Sequence, residues 1–328
     1  NGVIGRYNKY NHEESEFLLT CRGATCGTIN VSKHKSWING NAMVIHPKDR
    51  FVLTPDFLYY ALKSLDYSII ITGAAQPQIT RQSLVSIPIP LPPMAEQQAI
   101  VAERDALNSI IAKKQQQLAE LDRLAQATFY DMFGDPVNND KGWNVKKLGE
   151  VCDVVTGSTP RTNIDAYWKG GTKLWITPAE LKGQLYITDT ERKITDSAVS
   201  NTKLTLMPIG TVLLSSRAPI GKVAIAAKEM YCNQGFKNLV CKGDINNLYL
   251  YCFLMLQKDY LISLGRGATF KEISKSIVEK VEIPLPPLAL QQSFAERMEA
   301  IERQKELVKQ SIAEAQTLLN ATMDKYFG

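Results

Sequence analysis

The chain has 328 residues, of which 45% are hydrophobic and 22% charged, and its formal net charge is +5. This composition is ordinary for a globular protein, and the length suggests about two domains. The sequence shows no signal peptide and no apolar run of the ~18 residues that a membrane-spanning helix needs, which favours the cytoplasm. The weak positive charge permits a nucleic-acid partner without establishing one.

Short apolar runs separated by turn residues make up the chain to Ser86, and again from about Gly142 to Lys280. In the first stretch, FLLTCR predicts a strand and LTPDFLYYALKSL a helix. In the second, TVLLSS and VAIAA predict strands, and NNLYLYCFLMLQKDYL predicts short, mostly buried helices. A mixture of this kind favours an α+β fold.

A long helix is predicted after each stretch, from Met94 to Phe133 and from Leu288 to Phe327, because neither segment contains glycine or proline. Proline is tolerated in the first turn of a helix, so IPIPLPPMAEQQ and VEIPLPPLALQQ should each end a strand and begin a helix. The apolar spacing predicts a coiled-coil seam, and the matched lengths favour two helices packed antiparallel. In that arrangement we expect Ile100 to lie close to Leu319. The seam residues are Ile100, Leu107, Ile111, Leu118, Leu121, Met298, Ile301, Val308, Ile312 and Leu319.

The chain repeats itself at a constant offset of 194 residues. Pro92 and Gln97 recur as Pro286 and Gln291, and the register holds without a gap from Gly27 to the end. The sequence therefore consists of two copies of one module.

The two copies predict four segments. These are a first globular domain at residues 1–88, a first spacer helix at 89–134, a second globular domain at 135–286 and a second spacer helix at 287–328. The first copy lacks a counterpart of the roughly 50 residues that open the second. We therefore expect the first globular domain to be truncated at its N-terminal side, by fragmentation or by rearrangement of the gene.

Motifs of the common catalytic classes are missing from the sequence. It contains no GxxxxGK[ST] nucleotide loop, no GxGxxG turn and no [DNS]PP[YFW] tetrapeptide of the amino-methyltransferases. The three histidines, His12, His34 and His46, all lie in the first copy, and the six cysteines form no CxxC pair. We therefore expect a non-catalytic chain with reduced cysteines that binds no metal or cofactor itself.

Duplication, basic loops and a rigid spacer together favour a protein that reads two DNA half-sites. Polar and basic side chains on loops supply the hydrogen bonds to bases and phosphates. Arg22 and Arg217 lie beside apolar strands, and the structural alternative is that they only tie a turn. We predict DNA contacts from three groups of loops, which hold Arg22, Arg217 and Lys222; Gln76, Gln78, Arg81, Arg266, Thr269, Lys271 and Lys275; and Thr159, Arg161, Trp175, Thr177 and Lys182.

The same segments resemble the specificity subunits of type I restriction–modification systems. The resemblance covers nearly the whole chain and is carried by IPIPLPPMAEQQAI, VEIPLPPLALQQSF, ATFYDMFGDPVNNDKGWNVKKLGEVCDVVTGSTP, YWKGGTKLWITPAEL, GAAQPQIT and GATFKEIS. It implies two target-recognition domains joined by two antiparallel helices. Each domain is then expected to read one half of a split sequence in double-stranded DNA.

The resemblance also implies partners. A specificity subunit of this kind is not catalytic; it docks two methyltransferase subunits, which bring S-adenosylmethionine, and recruits ATP-driven restriction subunits in the prokaryotic cytoplasm. Two alternatives of other classes stay open. One is the recognition module of a fused type II restriction–modification enzyme, and the other is a coiled-coil adaptor without a DNA role.

Overall fold

The computed structural model describes residues 3–267 and 271–327. The chain forms two compact units: unit 1 comprises residues 1–117 and 308–328, and unit 2 comprises residues 118–307. Both long helices continue from one unit into the other. Each unit therefore holds the start of one long helix and the end of the other.

Unit 1 contains a small antiparallel sheet, in the order β2-β1-β3, with short helices beside the long ones. Its core is formed by Leu19 of the central strand together with Cys21, Tyr67 and Ile79. The elements are β1 (Phe17–Thr20), β2 (Ile29–Val31), β3 (Ala42–Val44), α1 (Pro55–Ser64), α2 (Arg81–Leu84) and the first part of α3 (Met94–Phe133).

Unit 2 is built around a five-stranded sheet in the order β5-β12-β9-β10-β7, with a three-stranded sheet β11-β6-β8 and a β13-β4 pair. Met207, Leu213 and Phe236 are fully buried in its main core. The elements are β4 (Asn144–Lys147), α4 (Leu148–Val151), β5 (Cys152–Thr156), β6 (Lys173–Ile176), β7 (Tyr186–Ile187), β8 (Arg192–Ile194), α5 (Asp196–Asn201), β9 (Val212–Leu214), β10 (Val223–Ala226), β11 (Tyr231–Cys232), β12 (Lys237–Cys241), α6 (Asn247–Leu256), α7 (Lys258–Ser263), α8 (Lys275–Glu279), β13 (Glu282–Leu285) and the first part of α9 (Leu288–Phe327).

The predicted α+β fold is confirmed, and the local elements lie where the sequence placed them. FLLTCR, TVLLSS and VAIAA contain β1, β9 and β10. LTPDFLYYALKSL contains α1, and NNLYLYCFLMLQKDYL contains α6 and the first part of α7, which ends two residues beyond it at Ser263. Both long helices have the predicted bounds, since α3 runs from Met94 to Phe133 and α9 from Leu288 to Phe327.

Within each unit the long helices pack antiparallel, as predicted. In unit 1 the hydroxyl of Thr322, near the end of α9, donates to Oε1 of Glu103, near the start of α3, at 3.2 Å. In unit 2 the Nζ atom of Lys305 on α9 lies 2.8 Å from Oδ1 of Asp122 on α3. As the residue number rises along one helix, its partner's number falls along the other.

The predicted seam is buried along most of its length. Ile111, Leu118 and Ile312 are half-buried, and the other predicted seam residues are buried: Ile100, Leu107, Leu121, Met298, Ile301, Val308 and Leu319.

The register of the helix pair corrects one expectation of the antiparallel seam, which set Ile100 opposite Leu319. The structure packs Ile100 with Tyr326 and Phe327 instead. That is about two turns further along α9 than expected. The apolar periodicity fixes the buried face of each helix, but it leaves the axial shift between the helices open.

The proline-rich segment that precedes each long helix has different surroundings in the two copies. In the second copy β13 ends at Leu285, and Pro286 and Pro287 then lead into α9. The predicted strand is not found at residues 87–91 of the first copy, where the described backbone is irregular. β13 is held by antiparallel pairing with β4. Among the described residues, 87–91 join no sheet, and a proline-rich segment outside a strand ladder stays irregular.

Candidate nucleic-acid interface

In unit 2, two of the predicted loops meet at Glu272. The backbone of Glu272 forms one isolated bridge with Arg217, in the loop between β9 and β10, and another with Arg266, in the loop after α7. The Arg266 amide donates to the Glu272 carbonyl at 3.1 Å, and the Glu272 amide donates to the Arg266 carbonyl at 3.0 Å. The structure therefore gathers Arg217, Arg266 and Lys271, the neighbour of Glu272, from two separate loops.

Unit 1 contains the same arrangement of two loops that meet at one residue, which we call the loop crossing. Gln78 forms isolated bridges with Arg22 and with Thr72, at the positions that correspond to Arg217 and Arg266. The Ile79 amide donates to the Cys21 carbonyl at 3.0 Å, and the corresponding bond in unit 2 measures 2.9 Å. The internal repeat seen in the sequence is thus a repeat of three-dimensional structure.

The remaining predicted residues of unit 1 lie around this crossing. Arg22 and Gln76 are exposed on the two loops that meet there. Arg81 is exposed and begins α2, whose N-terminus is capped by the Thr80 hydroxyl, which accepts from the Ser83 amide at 3.1 Å. The backbone bridges hold the two loops together, and the cap fixes the start of α2, since each satisfies backbone groups that a loop would otherwise leave without a partner.

Glu272 binds two cations in unit 2. Its Oε2 atom lies 3.0 Å from Nε of Arg217, and its Oε1 atom lies 3.1 Å from Nζ of Lys237, whose side chain is only 6% exposed. Burial raises the pKa of Glu272, but the hydrogen bonds from Lys237 and Arg217 lower it by more. The pKa therefore lies below its ordinary value. The Arg217 side chain is therefore bound to Glu272 in the DNA-free molecule, which agrees with a turn-tying role, while its contact with DNA stays a prediction.

Thr159 lies beside Gln234, which the sequence patterns did not single out. The Thr159 hydroxyl donates to Oε1 of Gln234 at 2.5 Å, and Gln234 is exposed. Gly157, two residues earlier, lies very close to Cys232. A Cβ atom on residue 157 would be 2.2 Å from the Sγ atom of Cys232. Only glycine permits this approach, and it brings Thr159 next to the β11–β12 loop.

The predicted DNA contact of Trp175 is corrected by its burial. The side chain is 2% exposed and packs with Ile194 in a core cluster. Its indole N–H donates to the Ser158 carbonyl at 3.1 Å. Trp175 therefore holds the segment that carries Thr159. The aromatic ring nearer the surface is Trp168, with the Arg192 guanidinium 3.6 Å from its centroid.

Thr177 and Lys182 are held by carboxylates within unit 2. Glu180 is buried and accepts hydrogen bonds from the Thr177 amide at 2.8 Å and from its hydroxyl at 3.1 Å. The same carboxylate accepts from the Glu191 amide at 2.8 Å. The Lys182 ammonium lies 3.3 Å from a Glu191 carboxylate oxygen. Thr177 thus caps a short turn, and its hydroxyl proton is already donated within the protein.

The predicted cations divide into two groups by their partners. Lys275 pairs with Glu279 at 3.6 Å, and Lys182 and Arg217 are paired as described. Over residues 3–267 and 271–327 the structure shows no carboxylate partner within 4.0 Å for the other basic residues of the predicted interface. These are the exposed Arg22, Arg81, Arg161, Arg266 and Lys271 and the half-buried Lys222. Thr269 lies outside the described residues.

The sequence matches a known protein family over most of its length. The model described as "Type I restriction modification DNA specificity domain" matches residues 1–123 and 140–317. The chain belongs to this family. The two matched segments fall on the two copies of the repeat.

Relatives of the DNA specificity domain family agree with this assignment. The type I restriction enzyme MjaIX specificity subunit of Methanocaldococcus jannaschii is 43% identical over 159 residues, which are 47% of this chain and 37% of that protein. The putative MjaX specificity subunit of the same organism is 25% identical over 80% of this chain and 64% of its own length. The chain therefore spans less than two thirds of these two relatives.

The fold matches a solved structure of the same kind. The crystal structure of a type I restriction–modification system S subunit from M. genitalium superposes with a TM-score of 0.64 at 15% identity, over 100% of this chain and 87% of that chain. In the described part of the present family member, no group of three or more His, Cys, Asp or Glu side chains is placed to hold a metal ion. No described helix is both long and apolar enough to cross a membrane.

Four residues of the candidate interface escaped the sequence patterns: Arg192, Gln234, Lys237 and Glu272. Gln234 follows Asn233, which recurs in the first copy as Asn39, so the repeat itself held a signal for that loop. The other three are recognised only by what they contact: Arg192 by the Trp168 ring, Lys237 by Glu272, and Glu272 by Lys237 and Arg217.

Proposed function

We propose that this chain is the DNA sequence-recognition subunit of a type I restriction–modification enzyme and that it reads a bipartite target in double-stranded DNA. The observation that carries the proposal is the loop crossing built twice, at Gln78 in unit 1 and at Glu272 in unit 2. Two equivalent polar loop clusters on one chain suit two half-sites on one duplex.

The polar side chains exposed on unit 2 suit a nucleic acid. Arg161, Arg266 and Lys271 are exposed and without a carboxylate partner in the described part of the chain, so their charge is free for phosphates or base edges. Thr159 and Gln234 add a hydroxyl and an amide, which read bases through hydrogen bonds. Basic groups provide affinity that falls with salt, and the polar groups provide discrimination between bases.

The partners are proposed on the family membership and on the long helices. Both helices expose large apolar side chains, namely Ile110, Leu124, Leu307 and Leu318. Apolar groups left in water at several points of a helix surface support docking of other proteins. We propose two methyltransferase subunits, which bring S-adenosylmethionine, and restriction subunits, which bring ATP, in the prokaryotic cytoplasm. Methyl transfer then takes place on those partners, and this chain supplies the choice of sequence.

The decisive experiment exchanges the globular part of unit 2, the proposed reader of one half-site. The chain is assembled with its methyltransferase subunits, and methylated sites are mapped before and after residues 142–280 are replaced by the corresponding segment of a relative. One half of the methylated motif should change while the other half is kept. An unchanged motif, or a change in both halves, contradicts the proposal. The chain alone, incubated with DNA and S-adenosylmethionine, should transfer no methyl group.

Salt-dependent binding to duplex DNA separates the proposal from a coiled-coil adaptor. Binding to DNA of random sequence should weaken steeply between low and high salt, because each phosphate contact releases counterions. A coiled-coil adaptor without a DNA role binds neither the random duplex nor the target.

A further inference from the structure

Two fully buried glutamines occupy equivalent places at the start of the long helices. In unit 1, Gln97 of α3 accepts from the Thr54 amide at 3.0 Å through Oε1. Its Nε2 atom donates to the carbonyls of Val52 at 2.8 Å and Pro92 at 2.9 Å. One side chain thus ties together the N-terminus of α1, the proline segment and the first turn of α3.

The same three bonds recur in unit 2. Gln291 of α9 accepts from the Asn246 amide at 2.9 Å through Oε1. Its Nε2 atom donates to the carbonyls of Asp244 at 3.3 Å and Pro286 at 2.8 Å. Asn246 caps α6, just as Thr54 caps α1. Both hydrogens of the Gln291 amide are therefore used, and so is one lone pair of its oxygen.

Each glutamine sits beside a cluster of apolar rings. In unit 1, Phe57 of α1 packs with Ile100 of α3 and with Phe327 of α9, at 5.2 Å between the ring centroids. In unit 2, Tyr249 of α6 packs against Phe133 of α3 at 4.7 Å. Apolar contacts tolerate sliding and rotation because they are non-directional. The glutamine bonds are directional and recur in both units, so they favour one orientation. They act together with the bond from the Tyr60 hydroxyl to Asp105 in unit 1 and from the Tyr249 hydroxyl to the Pro284 carbonyl in unit 2.

We infer that Gln97 and Gln291 are positioning residues that fix the orientation of each globular part on its own long helix and thereby set how strictly the protein selects the spacing between its two DNA half-sites. This inference rests on the proposed function. One added base pair shifts a half-site by about 3.4 Å along the duplex. A reader held rigidly on its helix meets the shifted site only if the DNA deforms, which costs free energy, whereas a loosened reader follows it.

The neighbouring residues provide matched controls. Gln98 and Gln292 follow the buried glutamines directly, have the same side chain, and are exposed. Gln97→Met and Gln291→Met keep the side-chain length and remove the hydrogen bonds. Gln98→Met and Gln292→Met make the same chemical change in water.

The experiment uses the chain assembled with its methyltransferase subunits. Methylation of duplexes with the natural spacer is compared with methylation of duplexes whose spacer is one base pair shorter or longer. We expect each buried variant to lower the preference for the natural spacer by about tenfold, since the loosened reader no longer requires the DNA to deform. Both half-site sequences should be kept, and the two control variants should match the wild type. A merely structural role would reduce methylation of all duplexes in proportion and leave the spacer preference unchanged.

A second measurement addresses the joint directly. Spin labels at the exposed Lys228 and Gln304, both in unit 2, should give a narrow distance distribution in the wild type and in Gln292→Met, and a broad one in Gln291→Met. If a methionine variant fails to assemble, Gln291→Glu carries both measurements and Gln97→Glu carries the spacer measurement. In each case the carboxylate still accepts from the backbone amide and loses both donated bonds.

Unchanged spacer preference together with an unchanged distance distribution overturns the inference. If the wild-type assembly methylates no bipartite motif, the proposed function is overturned instead. The two failures are therefore distinguishable.

Discussion

The Nζ atom of Lys305 on α9 lies 2.8 Å from Oδ1 of Asp122 on α3 and 2.6 Å from Oε1 of Glu302 on its own helix. Burial lowers the pKa of Lys305, but the hydrogen bonds that its ammonium donates to Asp122 and Glu302 raise the pKa by more, so that it lies above the ordinary value. The ion pair between the helices fixes their relative direction in unit 2, where the end of α3 meets the beginning of α9.

Cysteines at these two positions should form a disulfide. We expect Asp122→Cys with Lys305→Cys to cross-link readily under mild oxidation, because the side chains face each other. Peptide mass mapping identifies the bridge among the six native cysteines. Asp122→Cys with Arg297→Cys is the control, since Arg297 lies about two turns away on α9. Efficient cross-linking of the control pair and none of the first pair would contradict the register.

Loss of the Glu272 carboxylate should destabilise the protein at neutral pH only. Because the pKa of Glu272 is lowered in the folded state, its contribution is present above the ordinary value and is lost as the pH falls through the lower, folded-state pKa. We expect Glu272→Gln to reduce the free energy of unfolding by about 1 kcal/mol near pH 7, a modest figure because the group is partly exposed. The difference from the wild type should vanish in acid.

Denaturant titrations at neutral and acidic pH measure this difference. Glu279→Gln is the control, because the one ion pair of Glu279 within residues 3–267 and 271–327 is with Lys275, at 3.6 Å in the same helix. A Glu272→Gln variant as stable as the wild type at pH 7, or equally destabilised at both pH values, would show that the carboxylate charge has no such role.

Removal of the Lys271 charge should weaken DNA binding without altering the motif. Lys271 is exposed and has no carboxylate partner in the described part of the chain. We expect Lys271→Ala to reduce the slope of binding against salt by about one, as for the loss of one phosphate contact. Fluorescence anisotropy at several salt concentrations measures the slope. Lys242→Ala, which removes a lysine paired with Asp153 at 3.2 Å, should leave it unchanged, and a shifted motif would contradict a phosphate role.

Substitution of Arg161 should affect the choice of bases in one half-site. A side chain that binds a base edge with two hydrogen bonds contributes about 1–3 kcal/mol of discrimination, so Arg161→Ala should relax one half of the methylated motif by about ten- to a hundredfold and keep the other. Mapping of methylated sites in the assembled enzyme reads this out. Relaxation of both halves would mean that unit 2 does not read a separate half-site.

Trp175 should matter for stability before it matters for DNA. Trp175→Phe removes the N–H that binds the Ser158 carbonyl and leaves space in a core. We expect the free energy of unfolding to fall by about 1–3 kcal/mol. Trp37→Phe, at a ring that is 54% exposed, should have little effect. A Trp175→Phe variant of full stability that has lost one half of the motif would restore the direct contact predicted from the sequence.

Much of the architecture was predictable because its causes are local. Proline at a helix start and the absence of glycine and proline through 40 residues determine where α3 and α9 begin and continue, and their bounds agree with the prediction. The constant offset, which relates Gln97 to Gln291, predicted two copies of one module. The same three hydrogen bonds at both glutamines confirm this repeat. The seam residues were identified because a 3.6-residue period has one apolar face.

The candidate site depended on contacts between residues distant in sequence. The sequence predicted that the Trp175 ring contacts DNA. The ring is buried instead, because β6 packs against the rest of unit 2. The partner of Arg217 is Glu272, more than fifty residues later, and no spacing rule links them. The axial shift that puts Ile100 beside Tyr326 also came from the tertiary structure. Periodicity determines which face of an element is buried, whereas the partner of each side chain depends on which elements meet, and only the folded chain decides that.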